Sequence, residues 1–153
     1  MSAKAKPKTP NGRILMIAML VFIVVFTGGL WYTQFYAFYE ETEAERVEIA
    51  GRAYAVSEWQ GIDAPTSPLK LRACFRLTET PEAPAAPEPT PLVPPPWFDC
   101  FDAEALSRDL AAGRALAYLA EAEEFDGADR VIARYPDGRA YMWRQLTEEF
   151  ARQ

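Results

Sequence analysis

Twenty consecutive residues near the start of the chain, Ile14 to Thr33, carry no charge and read ILMIAMLVFIVVFTGGLWYT. At about 1.5 Å per helical residue such a run spans a hydrocarbon core of about 30 Å. Its β-branched residues would favour a strand in water, but a lone span in lipid must satisfy every backbone group internally, so the run is predicted as a helix. Trp31, Tyr32, Phe35, Tyr36, Phe38 and Tyr39 crowd its far end. At helical spacing they form two stripes, Trp31/Phe35/Phe38 and Tyr32/Tyr36/Tyr39, as expected of rings seated among lipid headgroups. The pattern therefore predicts a transmembrane helix over residues 14–39 with an aromatic interfacial end. A cleavable signal begins in the same way, yet Thr27, Gly28 and Gly29 imitate a small-residue cleavage site poorly, and bulky aromatics follow. An uncleaved anchor is the better reading.

Beyond the span the hydrophobic period shortens to two. Val47 to Trp59 reads as an extended stretch interrupted by a bulge or bend at Gly51. The run QGIDAPTSP is turn-rich, since Pro65 and Pro68 forbid a helix there. From Leu69 to Leu77, apolar Leu69, Leu71, Ala73, Phe75 and Leu77 alternate with Lys70, Arg72, Cys74 and Arg76, a half-buried strand in which Cys74 points away from the main core. Between Pro81 and Pro96 half of the sixteen residues are proline. That composition predicts an extended loop outside helix and sheet.

The next segment carries helix punctuation. Asp102 is the expected N-cap, Phe101 and Leu106 stand at hydrophobic-staple positions, and Gly113 is the stop. Ala115 to Phe125 has helix-favouring composition but precedes a turn and two strands, and is assigned as strand. Asp129–Tyr135 and Arg139–Leu146 then flank Pro136-Asp137-Gly138 as a hairpin, with Val131, Ala133 and Tyr135 on one face opposite Tyr141 and Trp143. The predicted architecture is a single N-terminal transmembrane helix and a small α+β domain over residues 40–153. That domain would hold an antiparallel sheet of about four to five strands, one short helix and the Pro-rich loop 81–96.

Charge fixes the expected orientation. Lys4, Lys6, Lys8 and Arg13 precede the span with no acid up to residue 33, whereas the remainder holds all 22 acids against 12 bases. Basic flanks are retained in the cytoplasm, so residues 1–13 read as a cytoplasmic tail and the body as exported to the periplasmic side of an inner (plasma) membrane. Cys74 and Cys100 both lie in that exported body. In an oxidising compartment two cysteines are most simply one disulfide, and they do not form the close pair of a redox-active dithiol. An acidic body with a single lysine, Lys70, argues against nucleic-acid binding.

The stretches WYTQFYAFYEE, ACFRL, PPPWFDCFDA and YPDGRAYMWRQ together resemble a family of short single-pass bacterial membrane proteins that is itself uncharacterised. The resemblance covers most of the chain from the span onward and implies no activity. Histidine-kinase chemistry is excluded, since the chain has no histidine and no glycine-rich nucleotide box.

No residue set reaches a named reaction, and no cofactor or metal site is expected. Asp99, Asp102, Glu123, Glu124 and Asp126 are close in sequence, but such acid pairs are commonplace without aligned geometry. The reading that remains is a membrane-anchored interaction or accessory module, in contact with the bilayer, that binds or helps assemble a membrane-protein complex through an integral-membrane partner. A sensory or small-ligand-binding ectodomain is the alternative. The expected partner surface is Pro94, Pro95, Pro96, Trp97 and Phe98, because aromatics left over from a small core bring large contact area.

Overall fold

The computed structural model describes residues 11–152. Lys4, Lys6 and Lys8 of the predicted tail lie outside the described residues. The chain divides into two compact units, one ending at Ala37 and the other beginning at Phe38.

The first unit is helix α1, Gly12–Phe35, in which no residue is buried. It is long and apolar enough to cross a membrane. The helix ends at Phe35, short of the predicted 39, and the chain leaves it through a turn in which the Tyr36 and Ala37 N–H groups both donate to the Tyr32 carbonyl, each at 2.9 Å. Phe38 then enters the left-handed region at φ 72°. Tyr36 still packs on the last turn, 5.0 Å from Trp31 and 6.2 Å from Tyr32 between ring centroids. The predicted stripes break there, because helical spacing no longer relates Phe38 and Tyr39 to the residues before them. Tyr39 belongs to the second unit, edge-on to Trp97 at 5.7 Å.

The second unit is built on one antiparallel sheet of order β1-β4-β5-β8-β7-β6. Its strands are β1 (Glu40–Thr42), β4 (Ser57–Asp63), β5 (Arg72–Arg76), β6 (Leu116–Phe125), β7 (Ala128–Arg134) and β8 (Arg139–Leu146). A separate two-stranded sheet joins β2 (Arg46–Ile49) to β3 (Arg52–Ala55). Helix α2 (Ala103–Ala111), a single turn, α3 (Glu148–Ala151), and a 3-10 turn at Pro68–Lys70 complete the unit.

The strands outnumber the prediction because the stretch from Val47 to Trp59 is not one interrupted strand. Ala50 and Gly51, both at positive φ (50° and 78°), make the tight turn of the β2–β3 hairpin, so Gly51 is a reversal and not a bulge. The first four residues of the run predicted as turn, Gln60 to Asp63, are instead the second half of β4, paired with β5 through Gln60↔Cys74, Gly61↔Ala73 and Ile62↔Arg72, while the turn itself falls on the residues after Asp63. Gly61 has to lack a side chain there. A Cβ would fall 2.6 Å from Trp59 Nε1 and closer still to Thr42 Oγ1.

Both faces of the sheet are covered. On one, Val47, Ile49 and Tyr54 of the β2–β3 hairpin pack with Leu71, Ala73, Phe75, Ile132 and Met142. On the other, Phe98, Phe101 and Leu106 pack with Ile62, Cys74, Val131, Ala133, Tyr135 and Trp143. Cys74 therefore faces a second core instead of open solvent, since period two places it beside Arg72 on the face that α2 and its preceding loop cover. The predicted helix and hairpin features hold: Asp102 accepts from the Ala105 N–H at 2.9 Å, Phe101 and Leu106 are both buried, and Val131↔Trp143 and Ala133↔Tyr141 are cross-strand partners.

The Pro-rich loop departs from its expected form. Ala85 forms a β-bridge with Tyr118 on β6, the Ala86 N–H donating to the Ala117 carbonyl at 3.0 Å and the Leu119 N–H to the Pro84 carbonyl at 2.9 Å. The prolines at 84 and 87 leave the intervening alanines free to pair, so the segment straps the edge of the sheet.

Candidate functional site

Between Leu92 and Asp102 the chain is fixed from beneath by one side chain of β5. Arg72, buried on the α2 face, donates through Nε to the Leu92 carbonyl at 2.7 Å and through Nη2 to that of Val93 at 3.4 Å. Its Nη1 reaches the Leu69 and Leu71 carbonyls at 2.7 and 2.6 Å. Four carbonyls converge on one planar fork, a geometry that guanidinium offers and ammonium does not. Burial pushes the Arg72 pKa down to about 10, with Tyr39 and Asp63 acting in the opposite direction, so the group is cationic at neutral pH.

Two residues along β5, Cys74 is disulfide-bonded to Cys100, as expected, with 6.3 Å between Cα atoms. The first half of the loop is held by Gln145 of β8, whose Oε1 accepts from the Thr90 N–H at 2.7 Å and from Trp143 Nε1 at 3.0 Å. From Pro94 onward the loop turns on itself, the Phe98 N–H donating to the Pro95 carbonyl at 3.0 Å.

The five predicted surface residues divide. Phe98 and Pro95 are buried, Pro94 and Trp97 half-buried and Pro96 exposed. Phe98 is core, whereas Pro94, Pro95, Pro96 and Phe98 still line a groove of about 410 Å3 with Phe101 and the first turn of α2. A second concavity of about 380 Å3 shares Phe98 and Asp99 with it and is walled by Trp59 and Trp97, with Glu41 and Glu43 at its rim. Trp59 is stacked on Phe75 at 5.1 Å and donates Nε1–H to the Thr42 carbonyl at 2.7 Å, which fixes the indole.

Trp59, Glu41 and Glu43 were not joined to this surface by sequence reasoning. They come from β4, from β1 and from the residue that follows β1, far from residue 97 along the chain, and the pairing of Thr42 with Gly61 brings them together. Arg72 and Arg76 both share a strand face with Cys74 in the alternating stretch, and the sequence does not say which of them is buried.

The acidic residues considered for catalysis do not converge. Asp102 caps α2, and Glu124 is held between Arg130 Nη1 at 2.9 Å and Arg144 Nε at 2.6 Å. Arg144 also reaches Asp63 at 2.9 Å, and this network occupies the cation lining a wider depression of about 550 Å3. Elsewhere, Asp109 accepts from the Tyr135 hydroxyl at 2.6 Å and pairs with Arg114. The Tyr135 bond, then that of Arg114, holds the Asp109 carboxyl below its usual range, while burial and then Asp109 push the Tyr135 hydroxyl up.

Residues 42–152 match the model of a family of unknown function, DUF6446. No curated protein and no solved structure matches the chain.

Proposed function

We propose that this chain, which belongs to the DUF6446 family of unknown function through residues 42–152, is a membrane-anchored accessory module that docks on an integral-membrane protein. The carrying observation is the conjunction of α1, a membrane-length helix with no buried residue, and a body with its own two-sided core and a groove built over a cross-linked segment. A rigid groove lowers the entropic cost of binding, because its lining is ordered before a partner arrives.

In this reading the N-terminus is cytoplasmic and the body lies on the periplasmic side of the inner membrane. Support comes from the bases before α1 against the acids after it, and from a disulfide that persists in an oxidising compartment. The bilayer and one integral-membrane protein are its partners; the body does no chemistry and needs no cofactor.

The test is a photo-cross-linker placed at Val93, which is 81% exposed beside the groove, in the full-length protein in its native membrane. A discrete cross-link to an integral-membrane protein is expected there and not from the same probe at exposed Ala112. Equal cross-linking from both positions, or none from Val93, defeats the docking reading. Orientation is read separately from a reporter that is active only after export, fused after Gln153, which should be active.

A further inference from the structure

We infer that the segment received by the groove is an extended, basic stretch of polypeptide, with an arginine or lysine side chain set against the indole of Trp59. This rests on the docking reading above and adds to it the chemistry of the partner.

Shape supplies the first argument. The proline-lined groove and the tryptophan-walled concavity meet at Phe98 and Asp99, so a chain lying along the first has a side-chain position over the second. Proline-lined and aromatic surfaces of this kind accept extended backbone, and a small free amine would fill only one of the two spaces.

Charge supplies the second. Elsewhere on the body part of the exposed acid is matched, Arg52 with Glu79 and Glu82, Arg76 with Glu58, Arg139 with Asp137, while others such as Glu45, Glu88 and Glu149 stand unpaired. At the two concavities the unpaired acids line concave surface. Among the described residues, the side chains of Glu41, Glu43, Asp99 and Glu104 are joined to no other by hydrogen bond or ion pair, and no lysine or arginine lines either space. The lone lysine of the body, Lys70, is held over the Tyr39 ring at 5.0 Å.

Among the described residues cations lie on five rings, Arg139 over Tyr135 at 4.4 Å and Arg144 over Phe125 at 4.6 Å among them, and none lies over Trp59. Tryptophan is the strongest of the aromatic faces for a cation. Unmatched carboxylates around such a ring attract a cation and repel an acidic segment, which gives selectivity as well as encounter rate.

The test uses the full chain in nanodiscs of zwitterionic lipid and a fluorescent arginine–alanine repeat peptide, followed by polarisation. Saturable binding is expected. Replacing each arginine by neutral citrulline should weaken it by about tenfold or more, the scale of a lost charge-assisted contact. Glu41→Gln with Glu43→Gln and Asp99→Asn should weaken it to the same degree. The charge-matched control, Glu58→Gln with Glu79→Gln and Glu82→Gln, should change it by less than about twofold, as expected of diffuse charge at a distance. All six positions are exposed, and circular dichroism of each variant verifies the fold.

Equal binding of the citrulline peptide, equal loss in the control, or methylguanidinium alone matching the peptide each overturns the inference. So does a Val93 cross-link that maps to an acidic segment of the partner. That last result leaves the docking reading standing, while absence of the cross-link removes the reading itself.

Discussion

The two faces of the central sheet are closed by different means. On one, the β2–β3 hairpin brings its own backbone pairing and packs Ile49, Val47 and Tyr54 onto Phe75, Ile132 and Met142. On the other, the cover is a nine-residue helix and an irregular loop, neither of which is stable by itself in water. There the chain concentrates its cross-links: the Cys74–Cys100 disulfide, the Arg72 fork and the Gln145 amide. A cover that is weak on its own becomes rigid when fastened to the sheet at several points. The proline-lined groove lies on that fastened side, because loops, unlike paired strands, leave concave surface between their residues, and the concavity beside it is walled by Trp59, which packs with the hairpin face.

The contrast can be broken first on the hairpin face. Ile132→Ala should cost about 4 kcal/mol in denaturant unfolding, as a fully buried aliphatic residue does, and by the same amount in oxidised and reduced protein. A loss that depends on the redox state would mean that the two faces are not independent.

Replacing both cysteines by alanine should cost about 3.5 kcal/mol, from the chain entropy released by opening the loop they close. Hydrogen exchange locates the effect. Amides of the loop before α2 should lose protection while those of β2 and β3 keep theirs; loss of protection in the hairpin would show that the disulfide supports the whole sheet.

Arg72→Met should cost about 2 kcal/mol, because four carbonyls, one buried and three partly buried, lose a donor while the cost of burying a charge is recovered. Arg72→Lys should restore less than half of this, since an ammonium cannot span the same acceptors. Full rescue by lysine would reduce the role of Arg72 to that of a point charge.

The smallest effect is on pH dependence at the Asp109–Tyr135 bond. Asp109 is depressed on folding, so its contribution is present above the unfolded carboxylate range near pH 4 and is lost as pH falls through the lower folded value. Tyr135 is raised, so its contribution is present below the unfolded tyrosine range near pH 10 and is lost as pH rises. Asp109→Asn should flatten the acid limb of the stability curve; an unchanged limb would assign acid sensitivity to other carboxylates.

Much of this architecture was written in local patterns. The apolar run, the Asp102 cap with its staple and the hairpin at Pro136-Asp137-Gly138 each announce themselves within a few residues, whereas the strand over Ala115–Phe125, helix-favouring in composition, was legible only from the turn and strands that follow it. The β2–β3 turn did not, because Ala50-Gly51 lacks the Asn-Gly or Asp-Gly signature and an alanine had to adopt positive φ. The helix end was misplaced because aromatic spacing continues past Phe35 while the backbone does not. At the site, Pro94–Phe98 was legible as surplus aromatic and proline surface, but the burial of Phe98 and the arrival of Trp59 and Glu41 depend on strand pairings that no short window contains.

The strap at Ala85 bears on crowding. Proteins tethered in a bilayer meet in two dimensions, at effective concentrations that a free protein seldom reaches, and an open strand edge would then recruit the next copy. One border of this sheet is capped by a proline-flanked segment with few amides to offer, and the other is a strand of only three residues beginning Glu40-Glu41. Both borders thus resist edge-to-edge pairing, so that copies brought close together by a helix such as α1 would stay separate.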